Sequence, residues 1–232
     1  MDERRARIYD DLRDMVAGEL YFEPLDRAPY AHDASLYEID PLGVIVPRSE
    51  DEVVTVARYA AENQIPLHAR GAGTDTGGGA LGLGLVVDLS RHLRRVIAIE
   101  DQHVVVESGV VPDRLNAQLA PLGRRLEPIA PNSDVNTIGG MIAVDAGGGR
   151  SLRHGSIGDQ VERLRVIVAH GEVLELGYEP WPDDQAESGE TKERIIRKLQ
   201  VLYRRTAGRL RAAMPGTPRN RAGYALAKAA DG

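Results

Sequence analysis

The sequence predicts an α+β protein, in which helices and short strands follow one another along the chain. Three observations carry this. A strand–helix–strand unit spans roughly residues 43–68, short strand pairs follow near 85–106 and 161–176 with a helix between them, and no segment repeats another. With 232 residues and 42% hydrophobic content, the chain can bury a real core as one large domain or as two lobes sharing a cleft.

Gly43-Val44-Ile45-Val46-Pro47 is an apolar run closed by proline, which predicts a strand. Ser49 then stands where an N-cap belongs, ahead of Val53, Val54, Ala57, Ala60 and Ala61 at helical spacing. Asn63 ends that helix, and Ile65 to His68 gives a second strand leading into a glycine-rich loop. Leu85 to Leu89 reads as the next strand, and Val96 to Ile99 with Val104 to Val106 as a pair turning at Asp101-Gln102. Pro112 suits the first turn of a helix carrying Leu115, Leu119 and Leu122 on one side, and Gly123 ends it. Val161 to Val168 and Val173 to Leu176, either side of Gly171, read as a hairpin that closes the globular body.

Four stretches follow from this: an arm over 1–40, the main domain over 41–177, an acidic linker over 178–190 rich in Pro, Asp, Glu, Ser and Gly, and a basic amphipathic segment over 191–232. Residues 192–221 hold ten Lys or Arg and one acid, Glu193, within a chain of net charge -6. Ile195, Ile196, Leu199, Leu202, Tyr203 and Leu210 recur there at helical spacing, with a weak point at Gly208. On composition this helix docks on an acidic body of its own chain in preference to nucleic acid or a membrane.

The acidic balance argues against nucleic acid as a partner, because such binders are basic over the contact face. Without cysteine the chain builds no disulfide, thiolate metal site or iron–sulfur cluster of its own. The six histidines, His32, His68, His92, His103, His154 and His170, show no paired spacing, so no metal site is expected. The opening MDERRARIYDDLRD is charged where a signal peptide needs an apolar run, and nothing later suffices for a transmembrane segment. The cytoplasm is the expected location.

The chemistry concentrates in three glycine clusters. In Arg70-Gly71-Ala72-Gly73-Thr74-Asp75-Thr76-Gly77-Gly78-Gly79, five glycines and two threonines follow a strand, so consecutive backbone N–H groups can converge on an anion such as a diphosphate. No Lys-Ser/Thr closes it as in a P-loop, Thr76 replaces the third glycine of the dinucleotide fingerprint, and a strand rather than a helix follows. A mobile surface loop is the competing reading. The second cluster runs from Pro131 to Gly149, where Asn136 or Thr137 caps a short helix opening Ile138-Gly139-Gly140, whose two glycines put no side chain in the way of a flat ring. Arg153-His154-Gly155-Ser156-Ile157-Gly158-Asp159 is the third.

Taken with Pro47-Arg48-Ser49-Glu50-Asp51-Glu52-Val53, Asp88-Leu89-Ser90, Glu107-Ser108-Gly109-Val110, Thr137-Ile138-Gly139-Gly140-Met141 and Val168-Ala169-His170-Gly171, the sequence resembles the FAD-binding domain of the vanillyl-alcohol-oxidase and p-cresol-methylhydroxylase superfamily, from about Tyr30 to Gly177. Asp33-Ala34-Ser35-Leu36-Tyr37, Leu115-Asn116 and Gly140-Met141-Ile142 with Asp145 are similar to the bacterial D-2-hydroxyacid dehydrogenases that fuse an FAD part to an iron–sulfur part. The resemblance implies a two-lobed α+β domain with FAD between the lobes, a small 2-hydroxy acid as substrate of the full-length protein, and an iron–sulfur domain or subunit as electron acceptor. It implies that Arg70, Gly71, Ala72, Gly73, Thr74, Asp75, Thr76 and Gly77 form the diphosphate loop. Thr137, Gly139 and Gly140 with Asp145, Gly147 and Gly148 would lie along the ribityl chain and flavin, and Gly155 would shape a wall.

Three departures stand out. Thr74 replaces the histidine that tethers FAD in some relatives, so the flavin is expected to be non-covalent; Asp75 adds a negative charge to the loop; and His154 stands where relatives often carry tyrosine. Relatives also continue past a Gly-Tyr-x-Leu segment, which Gly223-Tyr224-Ala225-Leu226 resembles, into a substrate cap holding the catalytic groups. The resemblance therefore implies a domain lacking the C-terminal substrate cap, with no catalytic residue assigned. An NAD(P)H-linked flavin reductase subunit of the same fold and a non-catalytic flavin- or nucleotide-binding module are the alternatives.

Overall fold

In the computed structural model, residues 1–182 and 190–213 are described. They divide into a first unit of Met1–Val161 with Val166–Val173 and a second of Glu162–Arg165 with the chain from Leu174. The mixed helix and strand content is that of the expected α+β class.

The first unit is built on a four-stranded sheet. Strands β1 (Glu19–Tyr21), β2 (Gly43–Val46), β3 (Leu67–Arg70) and β4 (Leu85–Asp88) lie in the order β1-β2-β4-β3, with β1 antiparallel to β2 and the other pairings parallel. β2 and β4 are buried throughout, as strands covered on both faces must be. Their alternation sends Ile45, Leu85 and Val87 to one face and Val44, Val46 and Val86 to the other. Helix α1 (Glu3–Arg13), capped by Asp2, brings Ile8 and Leu12 to the first face, and α3 (Glu50–Glu62) brings Val56, Tyr59 and Ala60. A single helical turn, α2 (Pro24–Arg27), separates them in sequence.

Residues 1–40 thus contribute both a core helix and a strand to this unit. Ile8, Leu12 and Val16 carry a helical apolar stripe that the surrounding charges mask in the sequence. Ser49 caps α3 as expected, its hydroxyl accepting from Glu52 N–H at 3.3 Å, with three acids in the first turn facing the positive end of the helix dipole. β3 begins two residues later than the apolar run predicts, because Gln64 turns back at φ 55° and Ile65 closes the helix by donating to the Ala60 carbonyl.

Two antiparallel strands, β5 (Val96–Ile99) and β6 (Val104–Val106), then α4 (Pro112–Leu119) and α5 (Ile138–Ala143), share a separate core of Val110, Leu115, Leu119 and Ile138. Pro112 stands in the first turn of α4, and Gly123 terminates the 3-10 turn after it in the left-handed conformation, φ 68°. The short α6 (Ser151–His154) follows. Strands β7 (Leu164–Ile167) and β8 (Val173–Leu176) form the expected hairpin around Gly171, φ 71°, and the division between units falls within it.

In the second unit, α7 (Thr191–Ala213) runs straight through Gly208. Trp181 stacks on Tyr203 at 6.1 Å, and Gln200 donates to the Pro182 carbonyl. Linker residues 183–189 and the Gly223–Leu226 segment lie outside the described residues.

Candidate functional site

β3 and β4 end side by side at Arg70 and Asp88, and the chain between them makes the first glycine loop. Pairing continues only as far as the Leu89 N–H donating to the Arg70 carbonyl. From Gly71 to Gly78, no backbone N–H donates to another group among the described residues. A run of donors without protein partners in one bend is what an anion-binding concavity requires.

Arg70 holds this bend open from beneath. It is buried, its guanidinium donates to the carbonyls of Pro29, Tyr30, His32 and Ala80, and it lies 5.3 Å from the Tyr30 ring centroid. Burial pulls its pKa down, while the nearby Asp88, Tyr30 and Asp33 charges oppose that. The Tyr30 hydroxyl donates to Asp88, whose other carboxylate oxygen accepts from the Ser90 N–H and hydroxyl. Burial first, then the Asp88 charge, raises the Tyr30 pKa. The Arg70 side chain is therefore committed to protein carbonyls.

Gly73, φ 69°, sits against that guanidinium, so a Cβ there would collide with Arg70. Asp75 lies within the loop, and its carboxylate accepts from Gly79 N–H at 2.5 Å, one residue pair further on than an Asx turn would reach. Thr74 donates its hydroxyl to the Asn136 side chain at 2.6 Å. Gly71 approaches so close to Thr137 that a Cβ would overlap the threonine hydroxyl. Through these contacts the first cluster meets the second. The remaining loop members, Ala72, Thr76 and Gly77, lie along the same run of free donors.

Thr137, buried, is the cap of α5, its hydroxyl accepting from Gly140 N–H at 3.2 Å. The neighbouring donors are already used, Ile138 N–H by the Val110 carbonyl and Gly139 N–H by the Ser108 carbonyl. Gly139 has Ser108 against it, and at Gly140 a Cβ would come within 3.1 Å of the Thr137 hydroxyl. Asp145, φ 46°, accepts from Gly158 N–H at 2.9 Å, which ties the second cluster to the third. Gly148 passes hard against the Ile129 carbonyl, Gly147 lies half-buried beside it, and Gly155, φ 74°, turns the chain over Asp159. His154 is half-buried at the end of α6.

Two hollows meet at Ala72 and Ser90. One, about 490 Å³, is bounded by Tyr21, Tyr30, Gly71, Asp88 and Arg91. The other, about 270 Å³, lies between Ala72 and Thr137 and carries Arg94, Arg114 and Asp134 on its walls. The sequence offers no signal for Tyr30 or for these two arginines, which stand outside every motif; Asn136 is visible in it only as a possible helix cap.

The FAD binding domain family matches residues 41–177, and the chain belongs to it. Among characterised relatives, it is 38% identical over 186 residues to the D-2-hydroxyglutarate dehydrogenase of Escherichia coli (strain K12), across 78% of this chain and 18% of that protein. It is 30% identical over 155 residues to the glycolate oxidase subunit GlcD of Bacillus subtilis (strain 168), across 65% of this chain and 33% of that one. A solved alkyldihydroxyacetonephosphate synthase shares the fold, with a TM-score of 0.66 at 20% identity over 76% of this chain and 36% of that chain. The chain spans less than a fifth of the length of the D-2-hydroxyglutarate dehydrogenases it matches. FAD suits the residues present: the N–H row without protein partners from Gly71 to Gly78 fits a diphosphate, and glycine at 139 and 140 adds no side chain to the start of α5. No helix among the described residues is long and apolar enough to cross a membrane.

Proposed function

We propose that this chain is the FAD-binding part of a flavin-dependent D-2-hydroxyacid dehydrogenase. The observation that carries the binding role is the unbroken run of unpaired N–H groups from Gly71 to Gly78, tied to the α5 cap through Gly71–Thr137 and Thr74–Asn136. In this reading Gly71 to Gly77 hold the diphosphate through backbone donors, with Arg70 as the brace that shapes them. Thr137, Gly139 and Gly140 with Asp145, Gly147 and Gly148 border the ribityl chain and ring, and Gly155 sets the turn behind them. FAD, when bound, accepts hydride from the α-carbon of a small 2-hydroxy acid. The names of the relatives support that substrate class, and a cysteine-free chain passes its electrons to an iron–sulfur domain or subunit outside itself.

The test is anaerobic mixing of the protein that carries this domain with D-2-hydroxyglutarate, D-lactate or NADH while flavin absorbance is followed. Bleaching by a hydroxy acid is expected. Bleaching by NADH alone would replace the reading with a reductase.

A further inference from the structure

Most arginines around the first glycine loop have internal partners: Arg70 has backbone carbonyls, Arg91 the Tyr21 hydroxyl and Arg95 the Glu107 carboxylate. Arg94 and Arg114 do not. Neither guanidinium has a hydrogen bond or ion pair among the described residues, although they come from separate elements, the β4–β5 link and the first turn of α4, to one hollow. A cation in the first turn of a helix faces the positive end of its dipole, so Arg114 is placed where an anion would compensate it. Two free guanidiniums beside Ala72 and Thr137 extend the positive character of the loop's N–H row.

We propose that Arg94 and Arg114 form a clamp for the diphosphate of FAD, which ADP shares, beside the loop's N–H row; this rests on the reading that the chain holds FAD. At about 270 Å³ the hollow admits part of a dinucleotide and not the whole. Its remaining charge is Asp134, which opposes the clamp and leaves it with a single net positive charge.

Three proteins distinguish the outcomes: wild type, the double variant Arg94→Gln/Arg114→Gln, and Asp134→Asn, each titrated with FAD by flavin fluorescence at low and high salt, with ADP as competitor. All three side chains are exposed, so folding is unaffected and thermal midpoints check this. The double variant should bind FAD about tenfold more weakly at low salt, lose most of the salt dependence, and show the same loss for ADP. Asp134→Asn should bind about twofold more tightly. FAD affinity in the double variant equal to wild type would overturn the clamp while leaving the domain's cofactor intact. Weaker FAD binding with ADP competition unchanged would also overturn it, since the arginines would then act on another part of the cofactor. A wild-type chain that binds no FAD would remove both the clamp and the reading beneath it.

Discussion

At the scale of single residues, the site is set by what sits under the glycine loop. Gly73 illustrates the point: its positive φ and its place against the Arg70 guanidinium mean that a side chain there displaces the brace before it meets any ligand. Gly73→Val is expected to lower stability by about 1–3 kcal/mol and to weaken FAD binding together, through one displaced guanidinium. Urea denaturation alongside FAD titration measures both, and a variant that lost affinity at full stability would mean that the Cβ obstructs the cofactor directly. Arg70→Lys is the companion test. A lysine cannot spread donors over four carbonyls, so FAD affinity should fall about tenfold although the charge is kept. The glycines of this loop are legible in the sequence because positive φ and close approach restrict the residue type; Tyr30 and Asn136 are not, because their partners lie 58 and 62 residues away.

At the scale of elements, local chemistry predicts ends better than partners. Ser49 and Gly123 stand at helix ends as their residue types require, and the β5–β6 pair turns where polar residues interrupt the valines. The N-terminal helix is harder to see, since its apolar stripe is short and only packing against α3 reveals its role. That packing has a titratable link. The Tyr59 hydroxyl on α3 donates to Asp11 on α1 at 2.7 Å, and burial, then this bond, pushes its pKa up to about 12. Between the ordinary value of 10.0 and about 12, the unfolded phenol has lost its proton while the folded one keeps it, so stability is full below the lower value and falls as pH rises. Tyr59→Phe should therefore show a shallower loss of urea midpoint than wild type across that alkaline window. Equal slopes would mean that the hydroxyl titrates normally. Thr137→Val removes the α5 cap while keeping the shape beside Gly71, and should cost about 1 kcal/mol in thermal stability.

For the whole molecule, the three glycine clusters become one site through packing from several parts of the chain, Ala130, Met141 and Ile157 among them, and it is this assembly that bound cofactor should stabilise. Residues 70–79, 131–149 and 153–159 are each readable as loops, yet their adjacency depends on Gly71 meeting Thr137 and on Asp145 holding Gly158, contacts that no sequence periodicity encodes. A ligand that binds this arrangement and not the unfolded chain stabilises it by mass action, by about 2.7 kcal/mol at a hundredfold excess over Kd. The melting temperature should accordingly rise with FAD concentration, and rise much less with riboflavin, which lacks the diphosphate that the Gly71–Gly78 donors would take. The flavin should also leave on acid precipitation. Thr74 has a hydroxyl already donated to Asn136 where a histidyl tether would stand, and the chain contains no cysteine for a thioether. Flavin retained in the denatured pellet would show a covalent link through some other side chain. Equal stabilisation by FAD and riboflavin would mean that the loop's free donors do not face the diphosphate, and would leave the glycine loop without its assigned anion.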